Sequence, residues 1–380
     1  QSSDIHKKWD SLQAALDADP KADRGWFAVN SVMKNANLRP LTEMLDIPDN
    51  AYADGASTLK SIELMEMFKK NKEKFFLAVG FQKPHLPFTP PKKYWDLYDR
   101  NEIKLAEYQL IAEDSPGEAY HKSGELRNYH DTEPNMDENG IVNDDKQREL
   151  IHGYMASVSY IDQQVGYLLD YLNESRLDKN TVIVFFGDHG WHLGEQDHWG
   201  KSTNFENSTR APMIISAPGL KSSQRTNALV EYVDVFPTLC DLAGLSVPNY
   251  LEGNSVLPLL KNPKLDWKKA VFSQYPRGWP RAKFEGYSIK TDRYNYIQWK
   301  ELDGSFKGHE LYDHKLDATE SMNIVEKQEY QIIVQEMNAR LQAGWKAALP
   351  KGITNNSDNA PAPSFVPWGK EAMFGPYAKQ

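Results

Sequence analysis

Five apolar residues, Val182 to Phe186, follow Thr181 and run straight into Gly187-Asp188-His189-Gly190. A short apolar run closed by a glycine turn reads as a buried strand. The turn then leaves the strand at its carboxyl end, where open α/β sheets gather ligands and chemistry. An acid and an imidazole side by side on a tight turn suit a metal ion or a charged substrate. Asp and His beside Gly are also ordinary turn residues, so the turn alone leaves both uses open. Its company narrows the choice. Glu195, Asp197, His198 and Lys201 follow closely, with Trp191 and Trp199 among them. Two indoles are unfavourable in a merely solvated loop.

A second junction lies upstream. Phe75 to Phe81 is another apolar run, and it ends in Gln82-Lys83-Pro84-His85-Leu86-Pro87-Phe88. Pro84 and Pro87 fix the backbone on either side of the imidazole. A stiffened corner of this kind pre-positions a ring, or is a surface turn carrying an incidental His. If the two runs are neighbouring strands, the cationic corner and the acid-imidazole turn share one crevice.

The segments FFLAVGFQKPHLPFTPPKKYWDLYD and VIVFFGDHGWHLGEQDHWGKSTNFENSTRAPMIISAPG resemble the type I sulfatases, in particular the iduronate-2-sulfatase-like branch. Gly153 to Asp162, Ser273 to Arg277, Gly286 to Asp292 and Glu310 to Asp313 match in the same order. The resemblance implies an alkaline-phosphatase-like α/β fold: a central, mostly parallel sheet between helices, then a small C-terminal antiparallel sheet with a helix. It implies sulfate ester hydrolysis on a sulfated, uronate-containing polysaccharide or oligosaccharide. Asp188 and His189 become expected metal ligands, for calcium or alternatively magnesium. His85 and Lys201 become the expected sulfate contacts and proton carriers. Lys83, His198 and Arg277 become expected substrate contacts, with His192, Trp199 and Trp279 as weaker ones.

The same resemblance exposes a departure. The family's paired metal-binding aspartates and its Cys-x-Pro-Ser-Arg motif, whose cysteine becomes the formylglycine nucleophile, do not occur here. The sole cysteine, Cys240, sits in a helical pattern and reads as a small core residue. The expectation is therefore a C-terminal portion of such an enzyme, partnered by a missing N-terminal segment or chain that supplies the nucleophile. Two alternatives stand beside it: a phosphate or phosphonate monoester hydrolase of the same superfamily, and a non-catalytic carbohydrate-binding remnant.

Charge and composition set the remaining bounds. A net charge of −9 argues against general nucleic-acid binding. An anionic substrate must then be drawn by local cations, for which Lys83, His85, Lys92, Lys93, His198 and Lys201 are available. No apolar run approaches the ~20 residues of a membrane span, so no membrane partner is expected. One cysteine excludes an internal disulfide. By resemblance the compartment is extracellular, periplasmic or lysosomal.

Pattern divides the chain near Pro263 into an α/β part, 1–262, which the resemblance makes part of a catalytic domain lacking its N-terminal strands, and a C-terminal α+β part with a tail, 263–380. Helices are predicted near Ile5 to Leu16, over Ser57 to Lys70, along the stripe Tyr154, Val158, Ile161, Val165, Leu168 and Leu172, over Val230 to Leu242 with Gly244 as its stop, and over Glu326 to Ala348. Residues 113–148 read as a long acidic insertion, mostly solvated. In the sulfatases that the chain resembles, this region overlies the substrate pocket, which makes Tyr120, His121 and Arg127 its weak candidates for substrate contact.

Overall fold

Three helices, α1 (Trp26–Asn35), α2 (Ala53–Asn71) and the long α3 (Asp144–Glu174), come first, and α2 turns Asp54, Gly55, Thr58, Ser61 and Met65 inward while Leu59 of its predicted apolar stripe is exposed. The computed structural model describes Asp10, Ala14 and residues 26–278, 282–353, 355 and 357. Apart from Asp10 and Ala14, the helix predicted near Ile5 to Leu16 lies outside the described residues, as does Trp279. Two compact units emerge. One comprises Gln1–Pro218, Ser273–Ser288 and Arg293–Met337; the other comprises Gly219–Phe272, Ile289–Asp292 and Asn338–Gln380.

In the first unit, α3 begins where the Asn143 side chain accepts the Lys146 amide, with Asp144 and Asp145 in the first turn. Its buried positions include Leu150, Gly153, Ser157, Tyr160 and Gln164. The predicted stripe runs beside this row, and Val158 is 45% exposed. Close approach decides the difference. A Cβ on Gly153 would lie 2.7 Å from Phe88 and 2.8 Å from Trp95, so small residues face inward there. The polar members are paired: the Tyr160 hydroxyl accepts the Gly55 amide at 2.8 Å and donates to the Asp49 carbonyl at 2.9 Å.

Strand β1 (Ile183–Phe186) confirms the strand but not its burial. It pairs antiparallel with β4 (Met213–Ser216), in a two-stranded ladder. Phe186 is 45% exposed and Ile214 62%. Residues 75–81 join no ladder among the described residues, although they alternate between partly buried and exposed, with Phe76 at 82%. Alternation is the strand's side-chain period, and a strand also needs a neighbour to bond. Between β1 and β4 a two-residue ribbon forms from β2 (His192–Leu193) and β3 (Trp199–Gly200).

The 113–148 insertion is a correction to the solvated loop. Three short 3-10 turns, Gly117–Ala119, Leu126–Asn128 and Glu133–Asn135, organise it. Leu126, Tyr129 and Val142 are buried with Leu41, Leu86, Phe88, Leu150, Ile151 and Trp199 in one core cluster. Its acidic composition hid a few well-spaced apolar anchors.

The C-terminal sheet has the order β5 (Val271–Arg277), β6 (Phe284–Lys290), β7 (Tyr294–Glu301), β8 (Phe306–Asp313). β7 and β8 pair antiparallel with a bulge between Trp299 and Lys300. In the second unit, α4 (Val235–Leu242) stops as predicted at Gly244, whose φ is +68°. The Leu245 amide reaches back to the Cys240 carbonyl, a helix-closing bond that needs the left-handed residue. Cys240 is buried and unpaired. The last helix, α5 (Gln331–Ala347), is broken by Gly344 at φ 75°.

Candidate active site

The Lys83–His85 corner is held from below by α2. Asp54, in its first turn, accepts the amides of Gln82 at 2.7 Å and Lys83 at 3.1 Å. Both X-Pro bonds flanking His85 are cis. The His85 Nδ1 lies 2.8 Å from the Leu86 carbonyl oxygen. A ring nitrogen facing a carbonyl carries the proton, so Nε2 is the nitrogen presented outward. The Asp188-His189-Gly190 turn repeats the device, with the His189 Nδ1 2.8 Å from the Gly190 carbonyl oxygen. Gly190 is irreplaceable there: a Cβ would fall 1.9 Å from the Asn207 carbonyl oxygen. His189 Nε2 is 3.4 Å from an Asp188 carboxylate that is 83% exposed.

The two corners meet at Trp191. His85 lies edge-on to its ring at 5.6 Å between centroids, and His189 stacks on it at 6.3 Å. Lys201, one residue beyond β3, places its ammonium 5.0 Å from the same ring. That ammonium is 2.7 Å from His85 Nε2. Two basic nitrogens from distant segments thus touch, within a short reach of the Asp188 turn.

Glu125 completes the cluster, and nothing in the sequence separated it from the other acids of its insertion. Its two oxygens lie 2.7 Å from His85 Nε2 and 2.9 Å from Lys201 Nζ. Burial would raise this carboxyl, but the His85 and Lys201 hydrogen bonds outweigh it and hold the group down at about 2.

The expected substrate contacts are placed differently. The Lys83 ammonium is buried and donates to the Pro87 carbonyl at 2.6 Å; burial lowers it to about 8, against Asp54. Arg277 is 9% exposed and gives its guanidinium to the carbonyls of Glu118, Ala119 and Ser202. Burial draws it down to about 10. His198 is 1% exposed and stacks on His121 at 4.5 Å and on Tyr120 at 5.2 Å, with His192 edge-on at 5.2 Å. His85, Lys201 and His189, by contrast, gather around Trp191, with Asp188 beside His189.

As a metal centre the site is incomplete. Asp188 and His189 offer one carboxylate and one imidazole nitrogen. Among the described residues no group of three or more His, Cys, Asp or Glu converges on a cation position. Calcium takes six to eight oxygen ligands and magnesium an octahedron, so this donor set does not hold either ion by itself. Nor is there, among the described residues, a helix long and apolar enough to cross a membrane.

Comparison with known proteins identifies the family and the fold. The sulfatase family model matches residues 5–245, and that of the N-sulphoglucosamine sulphohydrolase C-terminal region matches 194–346. Iduronate 2-sulfatase of Mus musculus is 34% identical over 330 residues, covering 71% of this chain and 60% of the relative. The chain thus spans about three-fifths of the length of the curated iduronate 2-sulfatases it matches. Among solved structures, BT4656 in complex with its substrate D-glucosamine-2-N,6-O-disulfate has a TM-score of 0.65 at 24% identity, over 77% of this chain and 69% of that one. The phosphonate monoester hydrolase of Silicibacter pomeroyi has a TM-score of 0.67 at 21% identity, over 80% and 62%. These likenesses establish the alkaline-phosphatase-like α/β fold, with its C-terminal four-stranded sheet and helix. By sequence, the chain belongs to the sulfatase family.

Proposed function

We propose that this chain carries the sulfuryl-binding part of a sulfate ester hydrolase acting on an O-sulfated, uronate-containing polysaccharide or oligosaccharide. The observation that carries the reading is the contact of Lys201 Nζ with His85 Nε2 at 2.7 Å beside Trp191. A sulfate monoester bears negative charge on its non-bridging oxygens. A compact ammonium with three donors suits that group, and so does the imidazolium form of His85, whose Nε2–H faces outward while its Nδ1–H is held by the Leu86 carbonyl. The His85 Nε2, backed by its Nδ1 bond to Leu86, is also placed to give a proton to the leaving alcohol. Iduronate 2-sulfatase, named for a sulfated uronate, supports the substrate class.

Asp188 and His189 are the two ligands this chain would lend a divalent cation, calcium or magnesium. Two ligands do not close its shell, and no step here runs through the ion. The nucleophile is likewise absent from the chain, whose one cysteine is the buried Cys240. A further polypeptide segment bearing the formylglycine is the proposed partner. Phe76, Phe186 and Ile214, exposed apolar residues, favour such a cover. We place the enzyme outside the cytosol, in an extracellular, periplasmic or lysosomal space.

Two measurements test the reading. Calorimetric titration with inorganic sulfate is expected to show binding that Lys201→Met weakens at least tenfold; equal affinity in the variant removes Lys201 from the site. The chain by itself is expected to turn over no aryl sulfate. In enzyme assembled with a formylglycine-bearing segment, His85→Ala should lower kcat by about 10²-fold or more.

A further inference from the structure

We propose that the Glu125 carboxylate is a built-in occupant of the sulfuryl position, an internal anion that the substrate's sulfate must displace to reach His85 and Lys201. The inference rests on the sulfate-binding role proposed for those two residues.

Geometry supplies the argument. One Glu125 oxygen meets each basic nitrogen, at 2.7 Å and 2.9 Å. The bridging carboxylate thereby takes the position from which any external anion would touch both. His85 has no second face to offer, because its Nδ1 is engaged with the Leu86 carbonyl. Lys201 is bounded on another side by the Trp191 ring. An incoming sulfate therefore competes with Glu125 for the same two donors. The carboxylate's low protonation range means that it competes as an anion throughout the neutral range.

Release requires a side-chain rotation and no movement of the loop. Leu126, the next residue, is fully buried, and its carbonyl accepts the Thr132 hydroxyl at 2.6 Å. Arg127 is fastened to the carbonyls of Lys122 at 2.8 Å and Gly140 at 3.0 Å. The Glu125 side chain itself is 34% exposed, so it has solvent to turn into. The exchange is close to charge-neutral for a sulfate monoester, since one monoanion leaves as another enters. Its consequence is selective: a weakly held anion fails to open the site, and a substrate that gains contacts elsewhere succeeds.

The competing role is that of a brace, in which Glu125 orients the two bases and its loss loosens them. The two roles predict opposite signs. Inorganic sulfate would be titrated calorimetrically into wild type, Glu125→Gln, Glu125→Ala, Lys201→Met and Glu125→Gln/Lys201→Met, at pH 7 and constant ionic strength. Displacement predicts that both Glu125 variants bind sulfate at least tenfold more tightly than wild type, and that the double variant loses the gain. Unchanged or weaker binding in both Glu125 variants overturns the proposal. If Lys201→Met still weakens wild-type binding in that case, the sulfate-binding reading survives without it. If no variant binds sulfate in a Lys201-dependent way, both fall together.

Discussion

Replacing Lys268 by Met is expected to destabilise the second unit by about 3–5 kcal/mol, the usual cost of stripping one partner from a buried ion pair. The Lys268 side chain is 4% exposed and its ammonium lies 2.7 Å from Asp234 and 2.8 Å from Glu231. Asp234 is itself 1% exposed. It also accepts the amides of Asn254 at 2.9 Å and Glu231 at 3.0 Å. Glu231 in turn accepts the Phe272 amide at 2.9 Å. The cluster therefore ties the turn before α4 to the Asn254 segment and to the start of β5. Removing the ammonium leaves two carboxylates facing each other without a counter-charge, which no small backbone shift relieves. The check is urea denaturation of wild type and variant. A second variant, Asp234→Asn/Lys268→Met, isolates the electrostatic part, because removing both charges restores much of the loss. A midpoint unchanged in Lys268→Met sinks the claim.

This cluster was invisible in the sequence, and the reason is general. Lys268, Asp234 and Glu231 are ordinary surface types, and only their convergence makes them structural. Glu125 escaped for the same reason, as one acid among many in residues 113–148. What the sequence did carry was local: the strand at Ile183–Phe186, the stop at Gly244, the proline-stiffened corner of His85 and the glycine turn of His189. The His85 corner was legible because proline fixes the backbone locally, and the His189 turn because glycine permits a tight turn and a close backbone approach. Burial was less legible than periodicity. Val158 satisfies the apolar stripe but is exposed, while Ser157 and Gln164 are buried where α3 passes its neighbours closely. Phe75 to Phe81 has the alternation of a strand without a ladder, since pairing depends on a second segment that local pattern does not specify. Lys83, His198 and Arg277 carried the right chemistry for a sulfated sugar; the Lys83 ammonium and Arg277 guanidinium donate to backbone carbonyls, and the His198 ring packs on His121 and Tyr120.

Lowering the pH from 7 to 5 is expected to cost the fold about 2 kcal/mol for each of His121, His192 and His198, or about 5–6 kcal/mol together. His192 and His198 are buried and His121 is partly buried in one aromatic cluster, and ring nitrogens on each lack a hydrogen-bond partner. Burial is the main cause that lowers them, His121 to about 4 and His192 to about 3, with His198 held far below the usual imidazole range. Arg277 opposes a charge on all three; Glu125 favours one on His121 alone, and bonds involving Glu195 and Gln196 favour one on His192. The sign follows from linkage. Each folded pKa lies below the unfolded value near 6.5, so the unfolded chain takes up protons first. Stability is then complete above about 6.5 and is lost as pH falls toward the folded values. A typical domain holds about 5–15 kcal/mol, so the loss is a large share of the whole. Melting temperature measured from pH 8 to 5 should drop steeply below 6.5. His198→Phe, which keeps the stacking and removes one titrating ring, should flatten that drop by about a third. A melting temperature level between pH 7 and 5 would show that the stack accepts protons as readily folded as unfolded.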